Sequence, residues 1–316
     1  VSPADQPETG TGPATPPAGE VRGRNRPPAG EVRGRNRPPA WADALAQRWD
    51  RFSRVPPGAA VIAALLLTAG LWAALQRAEP YLGHDESVYA GRARSMLTGS
   101  PAVGWMVYRP VGLPYLGYLA LAVGRPVGDD TLVLRLLGLL LVLATLGIVY
   151  LVGARVTSPW RAAVALLVVV GGATFLRRMP EFLDDIPSAG TLLLTAYLVL
   201  RSRRPGGRWA LPAAGGVAVV TVLLRYGAIA GLLSIAGAAV LVWGPRVWLR
   251  AWREVAVAAA VTVVGLTPLA VHSYQQTGSV LGLLVRAEVT AHRAYVGQGL
   301  VYYAQAFPAK LAGPLG

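Results

Sequence analysis

The sequence predicts an all-α protein that threads a membrane several times, and three observations predict it. Hydrophobic residues make up 53% of the 316-residue chain and charged residues only 15%. Several apolar runs approach or exceed the ~20 residues that a helix needs to cross a bilayer. The formal charge of +14 is carried by Arg and Lys in short segments between those runs. That is the distribution of cytoplasmic loops, and it argues against a nucleic-acid-binding face. Cysteine is absent, which excludes a disulfide framework, a thiolate metal site and a thiol nucleophile.

Taken in order, residues 1–56 are rich in Pro, Gly, Ala and Arg and hold an eleven-residue tandem repeat, Pro17 to Pro27 and again from Pro28. Such a segment buries too little apolar surface to offset its ordering entropy, so it reads as a disordered, basic cytoplasmic tail. Its arginines also suit it to anionic lipid. Trp41 to Phe52 has the composition of a short juxtamembrane helix. The first span is 59–75; nine Arg precede it and acids follow it, which puts its N-terminus inside.

Residues 111–124 are apolar but only fourteen long and contain Pro114, too short for a comfortable crossing. Counting them as a span would put Arg201, Arg203, Arg204 and Arg208 outside, against the positive-inside rule. They are therefore read as interfacial or re-entrant. The further spans are 131–153, 162–175, 187–200, 209–224, 227–243 and 255–271, seven in all. The module thus covers 57–271, and 272–316 is expected outside, as the start of a loop leading to a further part. Of the ten acids from position 57 onward, nine fall outside in this topology.

The chemistry-bearing stretch follows the first span. It runs Gly83-His84-Asp85-Glu86-Ser87-Val88-Tyr89-Ala90-Gly91-Arg92-Ala93-Arg94-Ser95-Met96-Leu97-Thr98-Gly99. Two acids open it, and Tyr89, Ala93, Met96 and Leu97 follow at helical spacing, so it predicts a short helix on the membrane surface. An acid in a first turn also serves simply as a helix cap. A second acidic group lies at Glu181, Asp184 and Asp185, just before Pro187, where a cap is again the ordinary alternative. Arg109, in Tyr108-Arg109-Pro110, sits in the loop after the first motif, Arg178 precedes the second, and Arg225 marks a turn after 224. Taken alone, such arginines are also ordinary snorkelling residues at the interface.

Asp85-Glu86, Tyr89-Ala90, Ala93-Arg94, Met96-Leu97 and Gly99 together resemble the first extracytoplasmic loop of GT-C glycosyltransferases. The nearest branch is that of protein O-mannosyltransferases and the aminoarabinose transferases of lipid A. The resemblance implies a seven-helix module that takes a sugar from a polyprenyl-phosphate carrier at the outer face. Asp85 would be the catalytic base, with Glu86 orienting it or the acceptor. Asp185, with Asp184, would be the second acidic site. Arg109, in the place of a basic-Pro-Pro-Leu element whose second Pro is here Val111, would hold the phosphate, with Arg225 and Arg178 beside it. His84 and Tyr89 are further candidates at the first site. A divalent cation bridging Asp85 and Asp185 is compatible with paired carboxylates, while His84, His272 and His292 show no ligand spacing. The expected partners are the lipid-linked donor, membrane lipid, and a lipid, glycan or protein acceptor. Two rival classes are a multi-pass transporter or flippase, and a non-catalytic membrane subunit of a cell-envelope complex.

Overall fold

The computed structural model describes residues 56–78 and 83–285. The tail repeat, the proposed 41–52 helix, His292 and the stretch from 286 onward lie outside the described residues. Within them the protein is all-α. Helix α1 is Pro57–Ala78. Helix α2 is His84–Thr98, and α3 is Gly112–Gly124. A single 3-10 turn leads into α4, Asp130–Val156. Then come α5, Pro159–Val170, and α6, Ala173–Arg178. Helix α7 is Asp185–Ser202, α8 is Ala210–Leu224, and α9 is Ala228–Trp243. The short α10, Pro245–Arg250, and the long α11, Trp252–Thr277, follow.

Three of these helices, α1, α4 and α11, are long and apolar enough to cross a membrane. Helices α5, α8 and α9 are apolar but shorter. Their outward faces are not those of a water-soluble bundle. Leu66 of α1 is 68% exposed, Leu241 of α9 86% and Val264 of α11 71%, and large apolar side chains exposed on so many helices mark contact with lipid or protein.

Each predicted apolar run forms a helix, with two departures. The run 162–175 is not continuous: α5 stops at Val170, and a Gly171-Gly172 pair turns the chain before α6. Adjacent glycines carry no side chain to hold the helix against this bend, and their N–H groups cap the preceding turn at Leu167 and Val169. The boundary drawn at 271/272 falls inside α11, which runs on to Thr277 and ends at Gly278 in the left-handed conformation.

Two apolar clusters organise the bundle. In one, Val61, Ala64 and Trp72 of α1 pack with Val142 and Leu146 of α4 and Leu166 of α5. In the other, Tyr89 and Ala93 of α2 pack with Leu113 and Leu121 of α3, Leu134 of α4 and Phe182. Helix α3 is 13 residues long, about 20 Å at the helical rise. It buries Leu113, Gly117 and Leu121 and leaves Tyr115 and Val123 exposed. Its first turn lies against the end of α8 so closely that a Cβ on Gly112 would come 2.6 Å from the Leu223 carbonyl oxygen. Gly215 of α8 does the same against α11, where a Cβ would meet the Ala258 oxygen at 2.6 Å. Small residues permit this approach of backbones, as they do between helices in membranes generally.

Candidate functional site

Six chain segments meet at one end of the helices, the start of α4 with Arg135 among them. The others are the end of α1, the start of α2, the loop before α3, the junction of α6 and α7, and the turn after α8. The acidic pair at the start of α2 divides its work between the two side chains. Glu86 is 3% exposed. Its carboxylate accepts the Gly83 N–H at 3.1 Å and so closes the helix start. It also accepts the Phe182 N–H at 3.0 Å and faces the Arg135 guanidinium at 3.4 Å. The side chain of Gln76, near the end of α1, accepts from Arg135 and donates to the Pro180 carbonyl at 2.8 Å.

Asp85 has none of these duties. Its side chain is 58% exposed and accepts a hydrogen bond from Arg109 at 2.9 Å. The capping role open to either acid is thus filled by Glu86, leaving the Asp85 carboxylate at the surface of the site. Arg109 lies over the Tyr89 ring, its guanidinium carbon 5.6 Å from the centroid, a cation–π arrangement that fixes the planar group. Tyr89 is 5% exposed. Burial, first, and the nearby charge of Asp184 push its phenol well above the usual range, so it remains protonated.

The second acidic group is held by Arg225, which hydrogen-bonds to Asp185 and stands 3.8 Å from Asp184. Arg178 binds Glu181 at 2.8 Å and reaches Asp185 at 4.0 Å, and the Asp85 charge also acts on it. Asp184 is 6% exposed, and burial pushes its carboxyl up to about 6, against the opposing pull of Arg225. Asp85, Glu86, Tyr89, Arg109, Arg178, Asp184, Asp185 and Arg225 are therefore brought into one linked cluster. His84 opens α2, and its side chain is outside those described. His272 is near the end of α11, in a groove of its own considered below.

Gln76 and Arg135 complete the buried half of the cluster. Arg135 shows in the sequence as a basic residue inside an apolar run, which is costly in a membrane unless paired. Gln76 carries no such signal, being an ordinary polar residue at a span's end. Among the described residues no group of three or more His, Cys, Asp or Glu is arranged to hold a metal ion. Asp85 and Asp185 each face a guanidinium instead.

A groove of about 550 Å³ runs from this cluster along α4, α6 and α7, with Val169 of α5 at its edge. Arg178 and Asp185 stand at its polar end, and Leu146, Val149, Phe175 and Leu193 line the rest. The opposite end of the bundle is basic. Arg203, in the turn after α7, stacks on Trp248 of α10 at 4.6 Å, which joins the 201–208 and 245–253 arginine clusters. The chain matches no protein-family model, no curated protein and no solved structure.

Proposed function

We propose that the protein is a GT-C-type glycosyltransferase that moves a sugar from a polyprenyl-phosphate carrier to an acceptor hydroxyl at the extracytoplasmic membrane face. One observation carries this reading. Asp85, exposed and fixed by Arg109, is near enough for its charge to act on Arg178, which with Asp185 stands at the polar end of an apolar groove. A positioned carboxylate, cations for a phosphate, and an apolar channel are what a lipid-phosphate donor requires.

In this reading α1, α4, α5, α7, α8, α9 and α11 cross the membrane, while α2 and α3 lie at its outer side. The N-terminus is cytoplasmic. The gathering of arginines at the end opposite the acids supports this orientation. As the acceptor oxygen attacks C1 of the sugar, its proton passes to the Asp85 carboxylate. The C1–oxygen bond to phosphate breaks with inversion, and the polyprenyl phosphate leaves with the bonding electrons. Arg178 and Arg225 have side chains 41% and 42% exposed, so each presents N–H groups to that phosphate beyond those spent on acids. Arg109 contributes charge from the other side. Asp184 and Asp185 hold Arg225 in place, and the buried Glu86 ties Asp85's helix to the second acidic segment.

A transporter would place its functional charge near the midplane of broken helices, whereas here the charge gathers at one end. Membranes containing the protein, incubated with labelled polyprenyl-phosphate sugars, test the proposal. Label should leave the carrier for a second product, and the Asp85→Asn protein should leave it on the carrier. Movement of intact labelled carrier across the bilayer, with no new product, would favour the flippase instead.

A further inference from the structure

A second groove, of about 340 Å³, lies between α2, α3, the end of α8 and α11. It shares no residue with the groove that begins at Asp185. Its walls are Met96, Val111, Leu223, Pro268 and Leu269, and its polar members are Arg92, Tyr115 and His272.

Arg92 differs from the arginines that surround it: the Arg109 Nε is likewise buried without a partner, but the Arg109 guanidinium binds Asp85 through another nitrogen. The other arginine on α2, Arg94, binds Asp130 at 2.9 Å. The cations of the site are likewise matched, Arg109 with Asp85, Arg135 with Glu86, and Arg225 with Asp184 and Asp185. Among the described residues Arg92 has no carboxylate and no hydrogen-bond acceptor. Its Nε is buried without a partner, and its one contact of note is with the Trp105 ring, 5.6 Å from the centroid. The nearest acids on its own helix, Asp85 and Glu86, are taken by Arg109 and Arg135.

A half-buried guanidinium with an unsatisfied inward N–H is a cost that a bound anion would relieve. Guanidinium geometry matches phosphate oxygens in bidentate fashion. The apolar walls call for an apolar chain on the same molecule, and the groove opens on helices that run in lipid. We infer that this groove binds an anionic phospholipid, with the phosphate on Arg92 and one chain along Met96, Leu223 and Leu269. The site goes beyond the transferase reading and stands whether or not sugar is transferred.

The test uses the full chain, purified in a neutral detergent, and lipid retention measured by native mass spectrometry. Phosphatidylglycerol should be retained at least tenfold more strongly than phosphatidylcholine. Arg92→Gln should abolish that preference, Arg92→Lys should keep part of it, and Arg94→Gln, whose partner is Asp130, should keep it whole. Glycerol phosphate at millimolar concentration should fail to displace the lipid. An unchanged preference in monodisperse Arg92→Gln, or equal loss in Arg94→Gln, would overturn the site. Displacement by glycerol phosphate would overturn the lipid as its occupant. No transfer reaction enters these measurements, so their failure is separable from failure of the proposed activity.

Discussion

Glu86 accepts the backbone N–H of Phe182 at 3.0 Å, ninety-six residues further along the chain. The bond ties the first turn of α2 to the segment that delivers Asp184 and Asp185. Because the same carboxylate faces Arg135 in the interior, removing its charge leaves a buried guanidinium uncompensated.

Breaking such a pair from one side costs about 3–5 kcal/mol, whereas losing both partners costs less than the sum. Glu86→Gln and Arg135→Gln should each lower the melting temperature in detergent by several degrees or more. The double substitution should fall clearly short of their sum. Strict additivity would show that the two side chains do not interact in the folded protein.

Asp85 should behave in the opposite way. Its carboxylate is mostly exposed and bound only at the surface of the site, so Asp85→Asn should change the melting temperature little. Sugar transfer should fall by roughly 10²–10⁴-fold, the usual worth of a general base. Arg109→Ala should weaken donor use, and Arg109→Lys should restore part of it by keeping charge without the fork. A purified Asp85→Asn protein that transfers sugar normally would remove the base from the mechanism.

Most of the helices were legible because they are apolar runs, α2 because Tyr89, Ala93, Met96 and Leu97 fall at helical spacing, and the acidic motifs because acids are rare in such a chain; the six-residue α6 and α10 were not. Which acid would turn inward was not legible. Asp85 and Glu86 are adjacent, chemically alike and both in a first turn. Their separation depends on Phe182, Arg135 and Gln76, which reach the site from distant parts of the chain. The break between α5 and α6 had a local signal, Gly171-Gly172, outweighed by the hydropathy around it. The unmatched state of Arg92 has no local signal at all, since Arg94 two residues on looks the same and finds Asp130.

Orientation is open to direct chemical labelling, because the chain has no cysteine. Arg204 is exposed in the turn between α7 and α8, and Ser100 is exposed just after α2. With the basic loops inside, Ser100→Cys should react with an impermeant thiol reagent on intact cells. Arg204→Cys should react only after permeabilisation. Reaction of Arg204→Cys from outside would reverse the proposed topology and put the acidic cluster on the cytoplasmic face.

Asp184 should leave a signature in the pH dependence of stability. Burial raises its carboxyl from 3.8 to about 6 in the folded protein, with Asp185 adding to the rise and Arg225 and Arg109 opposing it. Between these two values the folded state binds more protons than the unfolded one, so stability falls as pH rises. Asp184 therefore favours folding most below about pH 4 and carries its full penalty above about pH 6. A displacement of that size corresponds to roughly 3 kcal/mol. The melting temperature of the wild type, relative to Asp184→Asn, should drop by several degrees between pH 4 and pH 6.5 and then level off. The comparison with Asn isolates this residue, because every other titrating group is common to both proteins. Arg225→Gln removes the largest opposing charge and should move the same transition to higher pH. A constant difference between wild type and Asp184→Asn across the range would mean that Asp184 ionises in the folded protein as it does in the unfolded chain.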